Sequence, residues 1–437
     1  MELSEAAVRC LETLENAGFP AYAVGGCVRD ACLGQAPQDF DLCTAARPEE
    51  MEALFADRKL VLAGEKHGTV GVVTETGVVE ITTFRTEGAY RDNRHPDWVE
   101  FVPEIEQDLA RRDFTINAMA YSPKRGFADP FGGREDLKNK VLRAVGDPVQ
   151  RFREDSLRIL RGVRFAVRFG LTVEPETEAA MVSQAHLMDN LARERVFEEL
   201  CKLLPLVTAE DLVRFAPVLG AAIPELAPMI GFDQHSPHHA YDLYTHVAHV
   251  VAAVPGDLTL RWAALLHDVG KVPTFTRDET GRGHFYGHAG AGAELAEDIL
   301  RRLKAPTALR EQAVTLIGGH MTKLEPDPRV LRRRLGRLGW DTVEKLLALQ
   351  EADMSSKGVD NAGELEQFDR VRAVLARIRE ENACLTVKDL AVNGHDLMAL
   401  GLRGREVGGA LDALLEQVIE ERLPNEREAL LQYVRSR

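Results

Sequence analysis

Beyond about residue 150 this chain all but stops encoding strands, and that change of period constrains its fold more than any single motif. Residues 20 to 100 alternate short β-like runs ("AYAVGG", "FDLCTA", "TVGVVTETGVVEITTF") with glycine turns and one short helix around "RPEEMEALF", the pattern of a mixed α/β domain. Later stretches such as "DLTLRWAALLHDVG", "GAELAEDILRRL" and "GGALDALLEQVIEERL" place apolar residues at threes and fours, the mark of packed amphipathic helices. The expected fold class is α+β and multidomain, an α/β head followed by a long all-helical body. At 437 residues the chain is too long for one ordinary core. Turn-rich or polar breaks at "VGDP", "FDQHSPHHAYD" and "SSKGVDNAGELEQ" divide it into 1–145, 146–231, 232–360 and 361–437.

Six cysteines are scattered without a CxxC pair, which argues against a disulfide framework or structural zinc and for a reducing cytoplasm. The opening "MELSEAAVRCLETLENAG" is an amphipathic helix with acidic residues rather than a signal peptide, and no apolar run reaches the roughly 18 residues of a membrane span. A net charge of −15 argues on average against a polyanionic partner. The average hides two basic stretches: six arginines against two acids between 150 and 170, and ten Lys/Arg against three acids between 301 and 340. Each reads either as a solvated helix face or as part of a basic path on an acidic body.

In "VGGCVRD" a strand ends at Gly25 and Gly26, where the missing side chains permit close backbone approach, and a helix follows whose first N–H groups suit a phosphate. Arg29 adds a full positive charge. Asp39 and Asp41 follow in "DFDL"; alternate strand residues point the same way with Cα atoms roughly 6.6 Å apart, so both carboxylates face one spot. A divalent cation relieves their repulsion, and Mg²⁺ held by one or two carboxylates and completed by substrate phosphates serves phosphoryl and nucleotidyl transfer.

With "GEKHGTVGVV", "RRDFTINAMA", "DPFGG" and "REDSLRILRGVRF" added in order, the first 170 residues resemble the class II nucleotidyltransferase family of tRNA CCA-adding enzymes and bacterial poly(A) polymerases. The resemblance implies a polymerase-β-like head with Asp39 and Asp41 as metal ligands. Glu80 of "VVEITTF" is the candidate for the third acid that this superfamily generally supplies. It also implies that Gly26, Arg29 and Arg112 bind the triphosphate.

The segment "REDSLRILRGVRF" reads independently from chemistry. Helical spacing makes Glu154 and Asp155 neighbours of Arg158, either as an ion-pair ladder on a wet surface or as a recognition pair. Cytosine and adenine each present an amino donor beside a ring acceptor, so a carboxylate plus a guanidinium fits both, whereas guanine and uracil would leave buried groups unpaired. The resemblance implies this role for Asp155 and Arg158, with Arg161 and Arg164 continuing toward the nucleotide. Arginines spaced by three drift about 60° per step, so all three cannot share one face. The segment "TTFRTEGAYRDNRHPDWVEF", with Arg85, Arg91, Arg94 and Trp98, matches the flexible loop that in this family enables the final A.

Farther along, His246, His267 with Asp268, and Asp353 stand in the order H…HD…D, which resembles the HD domain superfamily of divalent-metal proteins. Burying adjacent His and Asp is costly unless they share a metal or a hydrogen bond. His284, His288 and His320 are available as further ligands. The resemblance implies either a phosphohydrolase or a helical body that holds tRNA, and the tail "VNGHDLMALGLRGREVGGALDALLEQVIEERL" implies further tRNA contact.

The expected activity is template-independent addition of CCA from CTP and ATP to the 3′ end of tRNA, with Mg²⁺ as cofactor. The head (1–145) would carry transfer, the neck (146–231) base selection, 232–360 the HD domain and 361–437 tRNA binding, in a cytoplasmic protein with no membrane partner. Alternatives are an A-adding or poly(A) polymerase of the same family and, from another class, an HD-type phosphohydrolase.

Overall fold

The computed structural model describes residues 1–37, 39–87, 99–236 and 240–436, Glu87 by its backbone alone. The chain divides into two compact units, Met1–Val207 with Arg214–Ala227, and Thr208–Val213 with Pro228–Arg437.

The first unit is built on a mixed seven-stranded sheet. Its strands are β1 (Ala21–Val24), β2 (Leu42–Thr44), β3 (Leu60–Val61), β4 (Thr69–Thr74) and β5 (Gly77–Thr83), while β6 (Arg85–Glu87) and β7 (Val99–Phe101) form a separate antiparallel pair. With β8 (Ala120–Ser122) and β9 (Gly126–Ala128) the sheet runs β3-β4-β5-β2-β1-β8-β9. Within this sheet, among the described residues, only β2 and β5 pair in parallel, in the register Leu42↔Ile81. Alternation along β5 buries Val79 and Ile81 and leaves Val78 and Glu80 exposed, as a period of two requires. Helix Glu5–Asn16 is capped by Ser4 and buries Ala6, Ala7, Cys10, Leu11 and Leu14. Tyr22, Val24, Cys43, Phe84, Ile105 and Leu109 pack together in a buried cluster.

Helices Pro148–Glu154, Leu157–Phe169, Pro175–Ser183, Arg193–Leu203 and Ala216–Ala222 follow the sheet in this unit. The sequence spacing predicts one uninterrupted helix through "REDSLRILRGVRF", whereas the chain breaks at Asp155, whose backbone is extended (φ −138°, ψ 101°). The reason is local: the Asp155 carboxylate accepts the Leu157 N–H at 3.0 Å, an Asp doing at a helix start what Asp does best. Phe114 locks the second helix, its ring 6.0 Å from Phe165 and 6.4 Å from Phe152.

The second unit is helical apart from a two-residue hairpin, Thr276–Arg277 with Gly283–His284. Its main helices are Leu243–Ala253, Leu258–Leu266 with buried Trp262, His288–Arg302, Thr307–Gly319 and Pro328–Ser355, and Asp242, Asp257 and Asp327 serve as N-caps. Leu390, Val392, Leu397, Leu414, Leu430 and Leu431 form a small core near the C-terminal end of the chain. Among the described residues no helix is long and apolar enough to cross a membrane.

Candidate functional site

At the end of β1 the chain turns through Gly25 (φ 72°, ψ −122°), a conformation open to glycine alone, and enters helix Gly26–Cys32. A Cβ on Gly25 would stand 2.9 Å from Nη1 of Arg112, so the guanidinium lies directly over the turn. Arg112 is tethered to buried Asp108 at 3.2 Å, and its buried Nε has no hydrogen-bond partner.

Asp41 sits one residue before β2 and extends its ladder, its carbonyl accepting the Val24 N–H at 3.0 Å. Extending the β2–β5 register by one residue sets Asp41 beside Glu80. Crowding by protein atoms, then the negative charges of Glu80 and Asp39, raise the Asp41 carboxyl above the ordinary range; Arg112 opposes them. Asp41 is nonetheless exposed to solvent. Three acids thus converge electrostatically on one place, the condition a bound cation relieves.

Beside this edge lies a cleft of ≈ 340 Å³ whose walls include Gly25, Gly26, Arg29, Asp41, Arg112, Asp155, Arg158 and Arg161. Seven of the expected nucleotide and metal residues therefore share one wall system with Gly25: Gly26 and Arg29 from helix Gly26–Cys32, Asp41 one residue before β2, Arg112, Asp155 at the helix break, and Arg158 and Arg161 from helix Leu157–Phe169. Asp39 is exposed and outside the lining.

Arg29 is committed to neighbours: Nε and Nη2 donate to Asp30 at 2.8 and 2.7 Å, Nη1 donates to Asn117 at 2.7 Å, and its plane lies 4.6 Å from the Phe169 ring centre. Arg158 pairs with Glu154 at 2.9 Å and donates to the Arg111 carbonyl at 2.9 Å. The helix break gives Asp155 a different partner, Arg195 at 3.1 Å. Arg161 donates twice to buried Asp113, at 2.9 and 2.7 Å. Burial would raise the Asp113 carboxyl, but Arg161 and Asn117 outweigh it and hold it down at about 2. Arg164 faces away, buried against Glu199 at 2.6 Å and outside the cleft lining, as the 60° drift requires.

Sequence reasoning missed Arg111, Asp113, Asn117, Phe165 and Arg195 as members of this wall. The "RRDFTIN" run held three of them in plain view; Arg195, forty residues past Asp155, gave no local signal. Arg85 donates to the His67 carbonyl. Arg91, Arg94 and Trp98 lie outside the described residues.

A family profile described as "Poly A polymerase head domain" matches residues 21–143, one described as "Probable RNA and SrmB- binding site of polymerase A" matches 170–214, and "tRNA nucleotidyltransferase domain 2 putative" matches 285–434. The CCA-adding enzyme of Levilactobacillus brevis is 36% identical over 96% of this chain and 95% of its own length. The chain belongs to the CCA-adding enzyme family. The CCA-adding enzyme of Geobacillus stearothermophilus is 33% identical over 99% of the chain and 96% of its own. A crystal structure of the Bacillus stearothermophilus CCA-adding enzyme in complex with CTP superposes with a TM-score of 0.70 at 30% identity, covering 98% of this chain and 96% of that one.

The second unit of this family member holds a buried histidine and aspartate cluster. His246 Nε2 lies 3.0 Å from Asp353 Oδ1, and His267 Nε2 lies 3.2 Å from Asp268 Oδ2. His288 and His320 join them, their Nε2 atoms 3.6 and 3.8 Å from Asp268 Oδ1. His284 turns instead to Asp278 at 2.7 Å. Lys271, a residue the sequence did not single out, places its ammonium 2.7 Å from Asp268 Oδ2 and accounts for part of the buried charge.

Proposed function

We propose that this chain adds C, C and A to the 3′ end of tRNA from CTP and ATP without a template, releasing pyrophosphate. The observation that carries this is the single cleft in which Asp41, with Glu80 beside it in register, the Gly25–Gly26 turn, Arg112, and the Asp155 and Arg158 pair all meet. The names of its relatives and the intact "TTFRTEGAYRDNRHPDWVEF" segment support complete CCA addition over A addition alone.

The raised Asp41 carboxyl and the like charges around it fit a divalent cation held by Asp39 and Asp41, with Glu80 as third acid, and we assign it as Mg²⁺. Bound there, Mg²⁺ supplies a Lewis acid that lowers the pKa of the tRNA 3′-hydroxyl and orients the α-phosphate for in-line attack. The Gly25 conformation lets the triphosphate approach the backbone, and Arg112, with its unpartnered Nε, offers it charge and donors. Arg29 acts largely by holding the turn against Asn117 and Phe169. Asp155 and Arg158 read the amino donor and ring acceptor shared by cytosine and adenine; to do so each trades its present partner, Arg195 or Glu154, for the base edge. Arg161 borders the same pocket, and Arg164 anchors the helix that carries it. The head within 1–145 carries transfer, the 146–231 neck selects the base, and 361–437 meets tRNA. Six unpaired cysteines suit a cytoplasmic site of action.

Asp39→Ala and Asp41→Ala should each abolish incorporation of labelled CTP into tRNA lacking its terminal CCA while leaving the unfolding midpoint near that of the parent. Full incorporation by either variant would overturn the assignment.

A second reading concerns the 232–360 HD region. His246, His267 and Asp268 are buried with Asp353 partly buried beside them, and the Nε2 atom of His267 has no hydrogen-bond partner, which suits a divalent metal bound in addition to that of the head.

A further inference from the structure

The second basic stretch of the sequence, between 301 and 340, contributes nothing to the cleft of the first unit. Its densest part is the first half of helix Pro328–Ser355, with Arg329, Arg332, Arg333, Arg334 and Arg337. Three of these five are committed to acids of the same unit: Arg332 pairs with Glu381 at 2.9 Å and with Glu421, while Arg329 and Arg333 pair with Glu420. The side chains of Arg334 and Arg337 have no ion pair and no hydrogen bond among the described residues. Three apart on a helix, they are neighbours on one face.

That face borders a cavity of ≈ 400 Å³ lined by helix Thr307–Gly319, Thr322 and helix Pro328–Ser355. Both arginines stand in its wall, and among the described residues that wall has no acidic member. The long helix is interrupted at Gly339, whose φ of 77° and ψ of 164° suit glycine, so Thr342 lies in the first turn after the break and in the same wall. The hydroxyls of Thr322 and Thr342 bond no described group, whereas that of Thr315 donates to the Glu311 carbonyl at 2.8 Å. Asp341, next to Thr342 in the chain, is already engaged by Lys345 at 3.0 Å and by Gln312. Leu316, Leu338 and Leu346 give the cavity an apolar side.

Two guanidinium groups in a wall without a carboxylate call for an anion from outside the chain, even though the chain as a whole carries a net charge of −15. A phosphate monoester carries about −1.5 to −2 at pH 7 and three strong acceptor oxygens, which matches two guanidinium groups in charge and in donor geometry. The threonine hydroxyls supply further donors. A backbone phosphodiester carries a single charge and would leave half of the positive charge uncompensated. The leucines suit the uncharged remainder of a phosphorylated molecule.

We propose that this cavity binds a terminal phosphate monoester, held by Arg334 and Arg337 and by the hydroxyls of Thr322 and Thr342. Two sources present that group, a free nucleoside monophosphate and the 5′-phosphate of an RNA chain. Only the RNA source rests on the transfer reaction proposed for the head; the cavity and its ligand chemistry stand without it.

The test titrates the full chain with methyl phosphate by calorimetry, beside a variant carrying Arg334→Gln and Arg337→Gln. The cleft of the head is identical in both, so the difference between them reads this cavity. Binding is expected to weaken tenfold or more in the variant, with an unfolding midpoint near that of the parent, and equal affinity would overturn the site. Dimethyl phosphate should fail to reproduce the component that the variant loses; if it binds there as tightly as methyl phosphate, the preference for a monoester is overturned. Should the variant unfold early, phenylglyoxal modification of Arg334 and Arg337 in the parent chain, mapped by mass spectrometry, should be slowed by methyl phosphate, and an unchanged rate would overturn the site. CTP incorporation into tRNA lacking its CCA, with and without a 5′-phosphate, then separates the sources. A KM for tRNA that rises about fivefold or more on dephosphorylation in the parent, and not in the variant, assigns the cavity to the RNA end; a KM that does not change, with methyl phosphate still bound, assigns it to a free monophosphate. Absence of any incorporation would overturn the function proposed for the head and leave the methyl phosphate result standing.

Discussion

Gly25 shows how much of the cleft depends on one missing carbon atom. Its φ of 72° is strained for any L side chain, and a Cβ would sit 2.9 Å from the Arg112 guanidinium. Gly25→Ala should cost about 1–3 kcal/mol of stability and lower CTP incorporation tenfold or more, since both the turn and the arginine above it must move; thermal unfolding and steady-state incorporation read the two effects. Asp113 carries a pH signature. Its carboxyl is held at about 2 in the folded chain against an ordinary 3.8, chiefly by Arg161 against the opposing effect of burial. A depressed carboxylate contributes stability that is present above the unfolded value and is lost as pH falls through the folded one. Its share, on the order of 2 kcal/mol, should be intact above about pH 4 and gone near pH 2, and Asp113→Asn should flatten that part of a denaturation profile. At this scale the sequence was most legible where chemistry needs neighbours in the chain. Asp39 and Asp41 stood out from their spacing, and Glu80 fell into place because parallel pairing sets it beside Asp41. Arg195 stayed hidden, because a partner forty residues away leaves no periodic trace, whereas Asp113 and Asn117 stood unread within the "RRDFTIN" run.

The elements divide in the same way. Helical period after 150 was plain, since apolar residues at threes and fours must face a core, and the only described strands in that part of the chain are two residues long. The break at Asp155 was not plain, because the same spacing suits one long helix; the Asp-Ser pair that starts the second helix was the available signal. That break gives Asp155 two duties, capping Leu157 and holding Arg195. Asp155→Ala should therefore relax base choice rather than merely slow transfer. UTP incorporation should rise at least tenfold relative to CTP in single-nucleotide assays, and an unchanged ratio would remove Asp155 from base selection. Sequence order singled out His246, His267, Asp268 and Asp353 and offered His284, His288 and His320 as further candidates; packing brings His288 and His320 to Asp268, while His284 turns to Asp278.

Over the whole molecule, a net charge of −15 gives little warning of an RNA substrate. The arginines between 150 and 170 resolve part of that contradiction, because acids on the chain itself compensate several of them: Glu154 serves Arg151 and Arg158, Asp113 serves Arg161, and Glu199 serves Arg164. What remains for a ligand is local: one cleft brings Asp41 together with Arg112, Asp155 and Arg158. This cleft, we propose, chooses C and A for a tRNA end with no nucleic-acid template. Labelled CTP and ATP, supplied alone and together with Mg²⁺ to tRNA ending before its CCA, test that claim most directly. CTP alone should extend the tRNA by two residues and both nucleotides by three, in the order C, C, A; incorporation of neither would contradict the account.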